Sequence, residues 1–148
     1  MVTKVGMQND FSSAVKDLVE LDYDAIEAYD AAISRLENVQ YKEELKKFKQ
    51  DHERHVAELS NLLRAHQEKA PTGPSGKQWL TKGKVIIANI VGDMAILAAM
   101  KSNEGDTNTA YERMHKHEHQ WADAVEIINR GLLDEKKHKA WLNSILQS

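Results

Sequence analysis

The chain has 148 residues, 41% apolar and 29% charged, a balance that suits a soluble globular protein with one buried core. Its 20 Lys and Arg against 23 Asp and Glu leave a net charge of −3, which argues against nucleic acid as the main partner, because phosphate binding wants a basic excess. No cysteine is present, so disulfides, thiolate metal sites and cysteine nucleophiles are excluded, and a reducing, cytoplasmic setting is compatible.

Residues 1–9 read as a flexible lead-in without an apolar stretch of signal-peptide length. Asp10 or Ser12 is placed to cap a first helix. Its apolar seam is Phe11, Val15, Leu18, Ala25, Tyr29, Ala32 and Leu36, with Asp22 as one polar member. Glu20, Asp24 and Glu27 fall off that seam and read as solvated. Asn38-Val39-Gln40 breaks the pattern as a turn. The second helix runs from about Lys42 to about Gln67, with Leu45, Phe48, His52, His55, Leu59 and Leu62 on its seam. Ala70 to Gly83 holds both prolines and three glycines and is the one clear linker. Extended, it crosses the length of a bundle; slack, it forms a loose hairpin, and composition leaves both open.

The third helix is expected from about Lys84 to about His115. It opens on the most apolar run, Val85 to Met100, which Asn89, Gly92 and Asp93 interrupt; the run is too short and polar to span a bilayer and reads as a buried helix. Its seam is Ile86, Ile90, Asp93, Leu97, Met100, Glu104, Thr107, Tyr111 and Met114, with Asp93 read as a local partner for a lysine or a linker amide. His115, His117 and His119 resemble a metal tract but read as a solvated turn. The fourth helix carries Trp121, Val125, Ile128, Leu132, Glu135, His138, Leu142 and Ile145. Gly131 sits inside it, at a cost of about 1 kcal/mol against alanine.

The two halves repeat each other. A shift of 82 carries Asp22 and Tyr29 onto Glu104 and Tyr111; a shift of 83 carries Asp51, His52 and His55 onto Asp134, Glu135 and His138. Six polar seam residues stand out: Asp22, His52, His55, Glu104, Glu135 and His138. Asp22 lies 16 residues before Asn38, with His52 and His55 14 and 17 after it; Glu104 lies 16 before Gln120, with Glu135 and His138 15 and 18 after it. Equal distance from a turn means equal height in an antiparallel pair, here about 24 Å at 1.5 Å per residue. Glu135 and His138, three apart on a helix, reach one point. Three carboxylates and three imidazoles in an apolar core are costly without a compensating cation. Oxygen and imidazole donors suit iron, manganese or zinc. A metal-free salt-bridge network that sets bundle specificity is the competing reading.

One acid on each of two helices plus a pair three apart on each of the other two resembles the di-iron pattern of ferritin-like four-helix bundles. LDYDAIEAY, FKQDHERHVAEL, KGKVIIANIVGDMAILAAMKSNEGDTNTAYE and DEKKHKAW look like a small bacterial ferritin-like family of unknown function. The resemblance implies an all-α four-helix bundle over 10–148: a hairpin at 10–69, a long crossover at 70–83 and a second hairpin at 84–148. It implies Asp22 and Glu104 as terminal carboxylates, Glu135 as a bridge, and His55 and His138 as imidazole ligands. His52 stands where a bridging glutamate is usual and Asp22 is one methylene short, so a symmetric di-iron centre and a lopsided or single-metal site both remain open. The implied partners are metal ions, iron foremost, with dioxygen or peroxide as reactant; a homo-oligomer, including an iron-storing cage, is also compatible. Tyr29 and Tyr111 are read as packing residues or redox tyrosines, and Asp51 and Asp134 as acceptors behind the metal pair or as surface charges.

Overall fold

The computed structural model describes residues 3–7 and 10–147, and these contain five α-helices and no strand. Helix α1 (Phe11–Arg35) and α2 (Val39–Ala65) form one hairpin. A short α3 (Lys84–Ala88) lies against α1; α4 (Asp93–His117) and α5 (Val125–Leu146) form the second hairpin. Two single 3₁₀ turns, Glu118–Gln120 and Ala122–Ala124, make the α4–α5 corner, so the fourth rod begins at Val125 rather than at Trp121.

Helices α1 and α2 start where side chains satisfy free amides of the first turn. Asp10 accepts from the Ser13 amide at 3.2 Å, and Asn38 accepts from the Tyr41 amide at 3.1 Å, which starts α2 at Val39, earlier than the periodicity suggests. The seams of α1 and α2 are buried throughout.

Helix α1 packs on α2 and α4, and α5 packs on the same two. At one end the Asp93 carboxylate, opening α4, accepts from the backbone amides of Glu37 and Asn38 in the α1–α2 turn, at 2.9 Å each. There Tyr41 also meets Trp141 edge-on at 5.9 Å. At the other end His66, just past α2, stacks on Trp121 at 3.7 Å, and Trp121 meets Phe11. Neighbouring rods are therefore antiparallel, and residues 66–83 run back along α1, past Glu20 and Asp24, to α3, whose first residue Lys84 pairs with Glu27.

Four expectations are corrected. The third helix is not continuous over 84–115: it breaks at Asn89–Gly92, where Gly92 takes φ +98°, open to glycine without a Cβ penalty. The break frees the Ile90 carbonyl, which the Arg35 guanidinium caps at 2.9 and 3.2 Å. Val85, Ile86, Val91 and Met94 are exposed, so the run is buried only in part, at Ile87, Ile96, Leu97, Ala99 and Met100. Asp93 holds the opposite turn rather than a lysine or the linker. Glu20, Asp24 and Glu27 are half-buried rather than solvated. Asp24 accepts from the Trp79 amide at 3.1 Å, Glu20 from the Trp79 indole at 3.1 Å, and Glu27 pairs with Lys84 at 2.8 Å, so the off-seam face of α1 is the track on which the crossover lies.

Asp106 fastens two segments at once, accepting from the Thr81 amide at 2.8 Å and the Thr3 amide at 3.0 Å. Thr3 and Val5 of the lead-in are buried, and Arg113 donates to both their carbonyls, at 2.6 and 3.0 Å. Among the described residues no helix is long and apolar enough to cross a membrane.

Candidate metal centre

The structure brings all six polar seam residues together. Asp22 comes from α1, His52 and His55 from α2, Glu104 from α4, and Glu135 and His138 from α5; none is more than 3% exposed. They form two overlapping donor groups, Asp22–His52–His55–Glu135 and His52–Glu104–Glu135–His138, each with its ligand atoms within 4.8 Å of one another. His52 and Glu135 belong to both. These are the residues that the repeat places on top of each other, so the shared middle of the site lies where the two halves of the chain meet.

Direct hydrogen bonds hold part of the set. His52 Nδ1 lies 2.7 Å and His55 Nδ1 3.3 Å from the same oxygen of Asp22. Others come up short. His52 Nε2, His138 Nδ1 and both oxygens of Glu135 are buried without a hydrogen bond. The nearest opposite charges stand at 3.4–3.6 Å: Glu104 Oε1 from His52 Nε2 and from His138 Nδ1, and Glu135 oxygens from His52, His55 and His138 Nδ1. Each such orphan costs about 1–3 kcal/mol in a sealed interior, more when charged.

An outer layer reaches across from the opposite hairpin. Tyr111 of α4 donates to Asp22 of α1 at 2.7 Å, and Tyr29 of α1 donates to Glu104 of α4. Asp51 of α2 sits 2.7 Å from His138 Nε2 of α5, while Asp134 of α5 sits 2.9 Å from His55 Nε2 of α2. The repeat points to these four residues in the sequence but not to their crossing, because a residue's partner on another rod depends on how the rods are arranged. Three contributors were not singled out for the site at all. Thr107 donates to Glu104 Oε2 at 2.9 Å, Asn108 donates to the Glu104 and Glu135 carbonyls at 2.7 and 3.0 Å, and Arg54 binds Asp134, Asp51 and Glu58 on the α2–α5 face. A Thr and an Asn one turn after a seam acid are the only sequence signal for the first two.

The electrostatics follow from burial set against these partners. Burial pushes the Asp22 carboxyl up, but the His52 and His55 imidazoles hold it below its ordinary value; burial likewise raises Glu104, and His138 and His52 outweigh it and leave Glu104 well below its own. Burial alone would depress the imidazoles. Glu135 and Asp22 instead lift His52 to about 9, and Asp51 with Glu104 lifts His138 to about 11. Burial and the adjoining Glu104 and Asp22 carboxylates drive the Tyr29 and Tyr111 hydroxyls well above 10, so both stay protonated donors. Among the other histidines, His115 lies 3.1 Å from Glu118 and, with His117 and His119, is exposed away from the centre.

The family model described as Domain of unknown function (DUF2383) matches residues 10–117. The chain belongs to this family. The match takes in Asp22, His52, His55 and Glu104 and ends before α5. A solved structure with the same fold is the crystal structure of a conserved hypothetical protein, rv2844, from Mycobacterium tuberculosis. It is 17% identical to this DUF2383 chain, with a TM-score of 0.78 over 93% of this chain and 91% of that one. At that identity the likeness speaks for the fold alone. A comparison with curated proteins gives no match.

Proposed function

We propose that this DUF2383 protein is a metal-binding bundle of ferritin-like architecture. In this reading a single domain over 10–148, with the crossover at 70–83, holds iron at Asp22, His52, His55, Glu104, Glu135 and His138, with manganese or zinc as competitors. One observation carries the reading: His52 Nε2, His138 Nδ1 and both Glu135 oxygens are buried and lack hydrogen bonds, in residues whose donor atoms lie within 4.8 Å of one another. A network evolved only for packing would pair these atoms, since unpaired buried polar groups are rare and costly. A divalent cation satisfies all four, and the oxygen–imidazole donor set fits iron. Bound iron supplies electron-transfer chemistry toward dioxygen or peroxide.

The chain's own residues do the rest. Tyr29, Thr107 and Tyr111 donate to Glu104 and Asp22, which fixes where the carboxylate lone pairs point. Asp51 and Asp134 hold the outer ring nitrogens of His138 and His55 and leave Nδ1 facing inward, as the outer partners of metal-ligating imidazoles do. Phe48, stacked on His138 at 4.3 Å, closes one side with an apolar face. Metal analysis of protein from iron-supplemented cells tests the reading. Retained iron near stoichiometric level, removable by a chelator with loss of thermal stability, is the expected result. Protein without metal, whose melting temperature ignores added iron, manganese and zinc, overturns it. Light scattering separates this reading from iron storage in a cage, which requires a large assembly.

A further inference from the structure

The two halves of the centre are chemically unequal. The repeat pairs Asp22 with Glu104 and His55 with His138, but it pairs His52 with Glu135, so an imidazole stands opposite a carboxylate. In the half made by Asp22, His52, His55 and Glu135 the donors are used up on one another. Asp22 faces His52 and His55 through one oxygen and accepts from Tyr111 through the other. His55 has a carboxylate oxygen at each ring nitrogen, Asp22 at 3.3 Å and Asp134 at 2.9 Å. With a carboxylate at each ring nitrogen, His55 has no nitrogen left facing an open position.

The other half differs at its imidazoles. His52 Nδ1 faces Asp22 and His138 Nε2 faces Asp51, so the nitrogens left free to shed a proton and turn a lone pair to a metal are His52 Nε2 and His138 Nδ1. Those two nitrogens are the ones without hydrogen bonds, and both Glu135 oxygens join them. Glu104 completes the set, turned by Tyr29 and Thr107. Two lone-pair nitrogens and two carboxylates match one divalent cation in number and in charge.

We infer that the core holds one tightly bound divalent cation at His52, Glu104, Glu135 and His138, and that Asp22 and His55 form a hydrogen-bonded brace that aims His52 at it. The inference rests on the metal-binding reading above and narrows it to half of the residues' shared volume. Where the repeat places the carboxylate of Glu135, His52 offers a single ring nitrogen, the other being committed to Asp22.

Cobalt(II) titration of metal-free protein, followed by visible absorption, tests it. The wild type should saturate at one equivalent. Asp22→Asn, which keeps an accepting oxygen, should still take up one equivalent but about 10–100-fold more weakly, the loss typical of a partner one bond removed from the metal. Glu104→Gln should lose the band. His52→Glu should raise the count to two. Two equal equivalents in the wild type, which requires no variant to fold, overturn the inference and leave the metal reading standing; so does an equal loss from Asp22→Asn and Glu104→Gln. No cobalt bound at all overturns both.

Discussion

Gly131 offers a sharp test of how the bundle shapes its centre. A Cβ at this position would stand 2.4 Å from Tyr111 Cε1, 3.0 Å from Cδ1 and 3.1 Å from Cζ. Carbon atoms pack at about 3.5–4.0 Å, so the ring of Gly131→Ala must retreat by about 1 Å. Tyr111 is 1% exposed and its hydroxyl lies 2.7 Å from Asp22, so the same retreat takes the hydroxyl past hydrogen-bond range. Alanine in a helix gains about 1 kcal/mol over glycine. Against that stand about 1–3 kcal/mol of overpacking and about 1.5–3 kcal/mol for a lost hydrogen bond to a charged group. The net expectation is a loss of about 1.5–5 kcal/mol, read by urea unfolding of the metal-free protein. In a Tyr111→Ala background the obstruction is gone, and the same Gly131→Ala change should become stabilising. A neutral or stabilising Gly131→Ala in the wild type would refute the reasoning, because helix propensity would then be the only effect at work.

Further expectations concern the metal and the protons it displaces. Glu135→Gln keeps the side-chain shape but removes the charge both donor groups share; helicity by circular dichroism should persist, while the stabilisation of about 2.7 kcal/mol that the wild type gains at metal 100-fold above its dissociation constant should vanish. Asp51→Asn should weaken metal binding about 10–100-fold, measured by competition with a chromophoric chelator, because it loosens the hold on His138 Nε2. Without metal, thermal scans should trace the network's charges. His52 and His138 are raised in the folded state, so their contribution is full below the ordinary imidazole value of 6.5 and is lost as pH rises through about 9 and then about 11. Asp22 and Glu104 are depressed, so theirs is present above the ordinary values of 3.8 and 4.5 and is lost as pH falls below them. Metal-free stability should therefore peak between about pH 5 and 6.5, while metal affinity rises with pH because the ligands must shed protons. A metal-free protein whose melting temperature climbs from pH 7 to 9 would contradict the signs assigned here.

The chain's own pattern determined the helical class and the level of the six polar residues, because a three–four apolar seam has one way to bury itself and distance from a turn sets height along a rod. It also marked the repeat, and through it Asp51, Tyr29 and their mates. It did not reveal the break before α4, since periodicity reads straight through Asn89–Gly92; only the φ of Gly92 and the Arg35 cap on Ile90 make the interruption favourable. Nor did it reveal that Glu20, Asp24 and Glu27 lie under the crossover, because an acid off the apolar seam looks solvated until another segment of chain covers it. What only the packed bundle decided is who faces whom: Tyr29 on Glu104, Asp51 on His138, Asp134 on His55, and Asp22 engaged by His52 while Glu135 stays unpaired. The spacing of residues along one helix is local and survives in sequence; a pairing between helices depends on the rotation and crossing of both, which the chain acquires only when its core closes.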